Sequence, residues 1–381
     1  MALINYLTQI QFGFDALALL PQECARVGIS RPLIITDAGV RKAGLLDRVL
    51  AQLPGIVEAD VFDGTPSNPN EAKVRAAAEQ FRAGGHDGIV AVGGGSSIDL
   101  AKGVAVCGTH EGELRSYAAI EGGVARITAA TAPVIAIPTT AGTGSEVGRA
   151  AILILNDGRK VGVLSQYLIP RAAICDPALT LDLPAMLTAA TGMDAIAHCL
   201  ETFMSPAFNP PADGIALDGL RRAWRHIETA THVPHDREAR LNMMSASMQG
   251  AMAFQKGLGC VHSISHSLGG IDPRLHHGTL NAILLPAVIE FNAQSDSMRV
   301  EDKLRRMAQA MELPDAEGAS IGAAIEARTA ALGLPTRLSQ VGVTRERYAD
   351  IVRGALADHS HKTNPREASA ADYESMLERA F

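Results

Sequence analysis

Up to about residue 184 the chain alternates short runs of β-branched and aliphatic residues with stretches of helical periodicity. Residues 33–36 read as a strand followed by a helix to about residue 53, 57–62 as a second strand and 71–83 as an amphipathic helix. Residues 88–92 form a wholly apolar strand running into Gly93-Gly94-Gly95-Ser96, ahead of a helix over about 97–106 and a strand over 134–137. Strands that alternate with helices predict right-handed crossovers and a mostly parallel, Rossmann-like sheet. Residues 152–155 and 160–164, joined through Asn156-Asp157-Gly158, predict a hairpin inserted in this region.

Beyond Leu183-Pro184 the strand pattern stops. Residues 185–204, 212–229, 237–254, 262–268, 278–292, 297–311 and 319–332, and a last stretch from 368, all have helical composition. The expected architecture is therefore an α/β domain over 1–184 and an all-α domain over 185–381, consistent with a length of 381 residues, too great for one core.

Composition narrows the class. Apolar residues make up 47% and charged residues 20%, as in ordered globular chains. A formal charge of −7 with no dense Lys/Arg cluster argues against nucleic-acid partners and a polybasic membrane anchor. The apolar runs 150–155 and 282–289 are core-sized, and Pro286 interrupts the second, so no membrane span is expected. The opening Met-Ala-Leu-Ile-Asn-Tyr lacks the features of a signal peptide. Five scattered cysteines with no Cys-x-x-Cys pair read as reduced thiols, so a cytoplasmic protein is expected.

The candidate chemistry begins with histidines. Four of the twelve, His262, His266, His276 and His277, fall in one 16-residue window. Asp194 and His198 stand four apart in a predicted helix, on one face a turn from each other, and His262 and His266 repeat the spacing. One carboxylate with several imidazoles suits Fe(II) or Zn(II) and is too nitrogen-rich for Mg or Ca. Glu201, three residues past His198, reads as a solvated helix face, with a role behind the ligands as the alternative. His359 and His361 have no third partner nearby in sequence and read as surface residues.

A second candidate site lies in the α/β half. Val-Ala-Val-Gly-Gly-Gly-Ser-Ser-Ile-Asp places glycines where a strand meets a helix start, which suits a phosphate. The spacing is not Gly-x-Gly-x-x-Gly, and a plain turn capped by Ser96 or Ser97 is the alternative. Ile137 to Glu146 supplies four hydroxyls and two glycines after another strand. Asp37, ending the strand 33–36, can take both ribose hydroxyls and would repel a 2′-phosphate, favouring NAD over NADP; the alternative is an ordinary helix cap.

Taken together these segments resemble the iron-activated (group III) alcohol dehydrogenase family, which shares the dehydroquinate synthase-like fold. The resemblance covers nearly the whole chain. It runs through Gly93-Gly94-Gly95-Ser96 with Asp99 and Lys102, Pro138-Thr139-Thr140-Ala141-Gly142-Thr143-Gly144-Ser145-Glu146-Val147, Asp176-Pro177 and Gly192-Met193-Asp194-Ala195 with His198. It continues through Gly257-Leu258-Gly259 with His262, His266 and Gly269, then His277-Gly278 and Asn364-Pro365-Arg366.

The resemblance implies that Asp194, His198, His262 and His277 bind the metal, His277 rather than His276 because it precedes a glycine. It implies that Asp37, Asn68, Gly94, Gly95, Ser96, Asp99, Thr139, Thr140, Thr143, Lys160 and Leu179 bind the dinucleotide. It places His266 beside the metal facing the nicotinamide, as the candidate to relay a proton, with a packing histidine as the alternative. Within the family the chain is similar to members that interconvert 4-hydroxybutyrate and succinate semialdehyde. Lys256 is the candidate partner of the substrate carboxylate, against an exposed lysine at a helix end.

The implied reaction is an NAD- and metal-dependent hydride transfer on a small primary alcohol or ω-hydroxy acid, in the interdomain cleft. The implied assembly is a homodimer or higher homo-oligomer, through a strand over 3–12. The main rival is a lyase or cyclase of the dehydroquinate synthase type. Its sugar-phosphate substrate needs several basic residues near the metal, and only Lys256 and Arg274 are obvious. A non-catalytic assembly subunit is the second rival, which intact ligands argue against.

Overall fold

The computed structural model describes residues 8–381. Its contacts divide the chain into two compact units. One runs to Thr140 and resumes over Gly144–Asp182; the other takes Ala141–Thr143 and Leu183–Phe381.

The first unit is built on a six-stranded sheet of β1 (Gln9–Phe12), β2 (Pro32–Ile35), β3 (Val61–Phe62), β4 (Gly88–Gly93), β5 (Val134–Pro138) and β8 (Ala172–Cys175). Their spatial order is β1-β8-β5-β4-β2-β3, and every pairing is parallel. Helices α1 (Leu20–Val27), α2 (Ala38–Lys42), α3 (Leu45–Leu50), α4 (Glu71–Ala83) and α5 (Gly95–Cys107) connect the strands. β2, β4, β5 and β8 are buried along their whole length, as expected of parallel strands covered on both faces. Two apolar clusters, one on each face, include Leu33, Ile89 and Ala136 in the first and Ile34, Val90 and Ile135 in the second.

The predicted hairpin is present as β6 (Ala150–Ile154) and β7 (Lys160–Leu164), antiparallel, with Ile154 opposite Lys160. Two expectations change. The helix after β2 is broken into α2 and α3 at Gly44, whose φ of 72° is left-handed. The second strand shrinks to Val61–Phe62 because a 3-10 turn, Glu58–Asp60, occupies its start. Of the expected strand over 3–12, residues 3–7 lie outside the described residues, and Gln9–Phe12 pairs with β8.

The second unit is helical, as expected: α6 (Ala185–Met204), α7 (Pro210–His232), α8 (Arg237–Met252), α9 (Cys260–Ile271), α10 (His277–Asn292), α11 (Asp296–Val300), α12 (Lys303–Ala310), α13 (Gly318–Ala331), α14 (Tyr348–Ala357) and α15 (Ala370–Ala380). α6 is buried from Thr188 to Met204 except at Thr191, the mark of a helix surrounded by others. α10 passes through Pro286 without ending. The single helix expected over 297–311 is split at Asp302 (φ 50°), and α14 went unpredicted. No described helix is long and apolar enough to cross a membrane. All five cysteines are free and buried, and burial pushes each thiol pKa up.

Candidate metal centre and dinucleotide cradle

The middle of α6 faces α9 and the start of α10. Asp194 and His198, one turn apart, present Oδ1 and Nε2 3.5 Å from each other. The Nε2 atoms of His262 on α9 and His277 on α10 lie 3.8 and 3.6 Å from the same carboxylate oxygen. Ligand atoms of Asp194, His198 and His262 are all within 4.8 Å of one another, and His277 joins this group through Asp194. Ligands held at about 2.1 Å in a tetrahedron stand about 3.4 Å apart. The spacing therefore fits one ion.

The outer edges of the rings matter as much. His198 Nδ1 donates to the Gly142 carbonyl at 3.2 Å, and His262 Nδ1 to Glu201 Oε2 at 2.5 Å. His277 Nδ1 meets Ser265 Oγ at 3.3 Å. For His198 and His262 the proton is thus fixed on Nδ1, which leaves the Nε2 lone pair facing Asp194. Burial pushes the His198 pKa down to about 4 and that of His262 to about 3, so both rings are neutral and able to coordinate at neutral pH. The chemistry of this donor set fits Fe(II) or Zn(II).

Gly278 explains why the inner histidine is the one before a glycine. A Cβ there would stand 2.1 Å from the Ala190 carbonyl oxygen, so only glycine lets α10 meet α6 this closely. His277 is then brought to Asp194, while His276 is the exposed cap residue of α10.

Three expectations are corrected here. Glu201 is no solvated face: it is 1% exposed, and its Oε1 accepts from the Val261 amide while Oε2 holds His262. Burial pushes its pKa up to about 7 against these hydrogen bonds. Lys256 is no exposed lysine and no free charge for a substrate. It is 2% exposed, its ammonium is paired with Asp213, and it donates to the Phe203 carbonyl near the end of α6. His359 does have partners. His266 Nδ1 lies 3.0 Å from Asp358 Oδ2, His359 Nδ1 lies 3.6 Å from Asp358 Oδ1, and the two rings stack at 5.8 Å. His266 also stacks on His277 at 5.4 Å. Burial opposes ionisation of Asp358, but His266 and His359 hold its carboxyl well below the usual range. Arg274 is exposed and paired with Asp272.

In the sheet unit, the carboxyl ends of the neighbouring strands β2, β4 and β5 carry Asp37, Gly94-Gly95-Ser96 and Thr139-Thr140 respectively, the edge where open parallel sheets bind ligands. α5 starts at Gly95 with Gly94 as cap and no side-chain cap. Neither serine plays that part: Ser97 Oγ donates to Asp37 Oδ2 at 3.0 Å and Ser96 Oγ to the Ser67 carbonyl at 2.5 Å. Gly93 has a φ of 147°, and a Cβ would lie 2.5 Å from Ser97 Oγ. Asp37 does cap α2, accepting from the Val40 amide at 3.0 Å, with lone pairs remaining for a ligand.

Among the remaining residues, Lys160 donates to Asn68 Oδ1 at 3.0 Å. Asp99 has both oxygens engaged, by Ser145 Oγ at 2.5 Å and the Ile152 amide at 2.9 Å, and so shapes the loop rather than offering a free acceptor. Leu179 is 2% exposed and packs in the core. Thr143 is half-buried in the segment Ala141–Thr143 that goes with the helical unit. The part played by Lys102 was not legible in the sequence: wholly buried, its Nζ lies 2.7–2.9 Å from Ser145 O, Ser145 Oγ, Gly148 O and Ala150 O, four oxygens among which its three N–H groups are shared.

Residues 8–177 match the family described as iron-containing alcohol dehydrogenase, and residues 188–381 its C-terminal counterpart. The chain belongs to the iron-containing alcohol dehydrogenase family. It is 63% identical over 385 residues to a 4-hydroxybutyrate dehydrogenase of Cupriavidus necator, covering 100% of both chains. Its fold overlays a crystal structure of 1,3-propanediol oxidoreductase with a TM-score of 0.91 at 33% identity, covering 100% of each. It also overlays sulfoacetaldehyde reductase from Bifidobacterium kashiwanohense in complex with NAD+, with a TM-score of 0.88 at 27% identity, covering 99% and 98%.

Proposed function

We propose that this dehydrogenase interconverts 4-hydroxybutyrate and succinate semialdehyde with NAD and a divalent metal, Fe(II) in the first instance with Zn(II) as the alternative. The observation that carries the substrate is the 63% identity, over full length, to an enzyme named for it. Residues 1–184 form the dinucleotide-binding domain of this reading and 185–381 the metal-binding domain.

Asp194, His198, His262 and His277 would hold the ion, and Asp37, Asn68, Gly94, Gly95, Ser96, Thr139, Thr140, Thr143 and Lys160 the dinucleotide. Held there, the ion would supply Lewis acidity toward the substrate oxygen, and the dinucleotide would supply the hydride acceptor or donor. His266 moves the proton. With Nδ1 donating to Asp358, its Nε2 is the basic atom, and the Asp358 carboxylate stabilises the imidazolium formed when Nε2 takes a proton. Asp37 selects NAD by repelling a 2′-phosphate. The protein works in the cytoplasm as a homodimer or higher homo-oligomer, which light scattering after size exclusion would test.

The deciding experiment uses purified, metal-analysed protein with NAD+ and NADP+ against short alcohols and ω-hydroxy acids. The expected result is the highest kcat/KM with 4-hydroxybutyrate and NAD+. Equal or better turnover of 1-butanol or 1,3-propanediol would overturn the substrate assignment.

A further inference from the structure

Asn281 stands on α10 one turn beyond His277, is 0% exposed, and has no part in the ligand set given above. Its Nδ2 lies 2.7 Å from Asp194 Oδ1, 3.3 Å from His262 Nε2 and 3.2 Å from His277 Nε2. Three of the four candidate ligand atoms thus converge on one amide nitrogen, while Asn281 Oδ1 is buried without a hydrogen-bond partner.

The ring nitrogens and the carboxylate differ in what they can do once an ion is held. An imidazole Nε2 has a single lone pair, and coordination uses it, so neither ring can go on accepting from Asn281. The coordinating oxygen of Asp194 has a second lone pair, and there the amide N–H still fits. We infer that Asn281 is a positioning residue for the metal: its Nδ2–H fixes the rotation of the Asp194 carboxylate so that Oδ1 faces the three imidazoles. In the metal-free protein the same N–H2, polarised positive, occupies the attention of those acceptors and keeps them gathered. Outer groups of this kind set metal affinity by about 10- to 100-fold.

This inference rests on the reading of Asp194, His198, His262 and His277 as metal ligands, and the test separates the two. Chelator-stripped protein is titrated with Co2+ against a chromophoric chelator, following both affinity and the cobalt visible spectrum. The variants are Asn281→Leu, near in volume but without polar atoms, and Asn281→Ser, which keeps a donor and leaves room for water. Thermal unfolding of the stripped variants checks that each folds.

The expected result is one Co2+ per wild-type chain, an affinity about 10- to 100-fold weaker in Asn281→Leu, and a smaller loss in Asn281→Ser. Band positions and intensities should stay unchanged, because the ligands are the same. Wild-type affinity in Asn281→Leu overturns the inference. So does an altered spectrum, which would make the amide itself a ligand. Should Asn281→Leu not fold, Asn281→Ser decides alone: an affinity and spectrum equal to wild type overturn the role. If the wild-type chain takes up no Co2+, the ligand assignment falls first and this role with it.

Discussion

Glu201 Oε2 lies 2.5 Å from His262 Nδ1, across 61 residues of sequence, inside a wholly buried environment. The carboxylate fixes the tautomer of a ring whose other nitrogen faces Asp194. Glu201→Ala should therefore weaken metal binding about 10- to 100-fold, with loss of kcat in parallel at limiting metal. Metal content after dialysis against a weak chelator checks it. Full retention of metal would show that the pair is only structural.

The two adjacent histidines should behave differently. His277→Ala removes a ring whose Nε2 is 3.6 Å from Asp194 and should leave the purified protein largely metal-free and inactive. His276→Ala changes an exposed cap residue and should retain metal and most activity. Elemental analysis of both variants decides between them, and the reverse pattern would reassign the ligand.

Asp37 has a structural and a selective task at once. Asp37→Gly removes the side-chain cap of α2, at a cost of only about 0.3 kcal/mol because glycine is itself tolerated at a cap, and removes the charge that opposes a 2′-phosphate. The ratio of kcat/KM for NAD+ over NADP+ should fall about tenfold or more, which corresponds to about 1.4 kcal/mol. An unchanged ratio would place cofactor choice elsewhere.

Lys256 should act on stability and not on substrate choice. Lys256→Met strands Asp213 beside the end of α6 and should cost about 3 kcal/mol. The ratio of efficiencies on 4-hydroxybutyrate and 1-butanol should not move. A selective loss on the hydroxy acid would restore the lysine to the substrate.

Glu146 supplies a pH signature. Burial pushes its carboxyl pKa up to about 7, only partly offset by its own backbone amide and by Lys102. Between the ordinary value of 4.5 and 7 the folded chain binds more protons than the unfolded one, so this group lowers stability as pH rises through that window. Urea unfolding of wild type and Glu146→Gln between pH 4.5 and 7.5 should show a smaller fall in the variant, the difference amounting to at most about 3 kcal/mol. Parallel curves would refute it.

Local pattern carried much of the architecture. Apolar runs at 88–92 and 134–137 and the periodicity of 71–83 were sufficient for the parallel sheet and its crossings, because parallel strands are buried on both faces. The i, i+4 spacing was sufficient to pair Asp194 with His198 on α6. It misled at His262 and His266, which share that spacing, yet only His262 has its Nε2 within 4 Å of the Asp194 carboxylate while His266 bonds to Asp358, 92 residues away. Glu201 read as a solvated face, and Lys256 as a substrate partner or an exposed lysine, because their partners lie 61 and 43 residues away in sequence. Burial of a charge is decided by packing that no window of sequence contains.

The three fully enclosed thiols make the protein its own reporter of opening. A thiol-directed alkylating agent can reach Cys175 only when the sheet unit opens, and Cys199 or Cys260 only when the helical unit does. Mass spectrometry of a labelling time course thus reads, residue by residue, which half of the chain yields first under heat or denaturant. It needs no engineered probe.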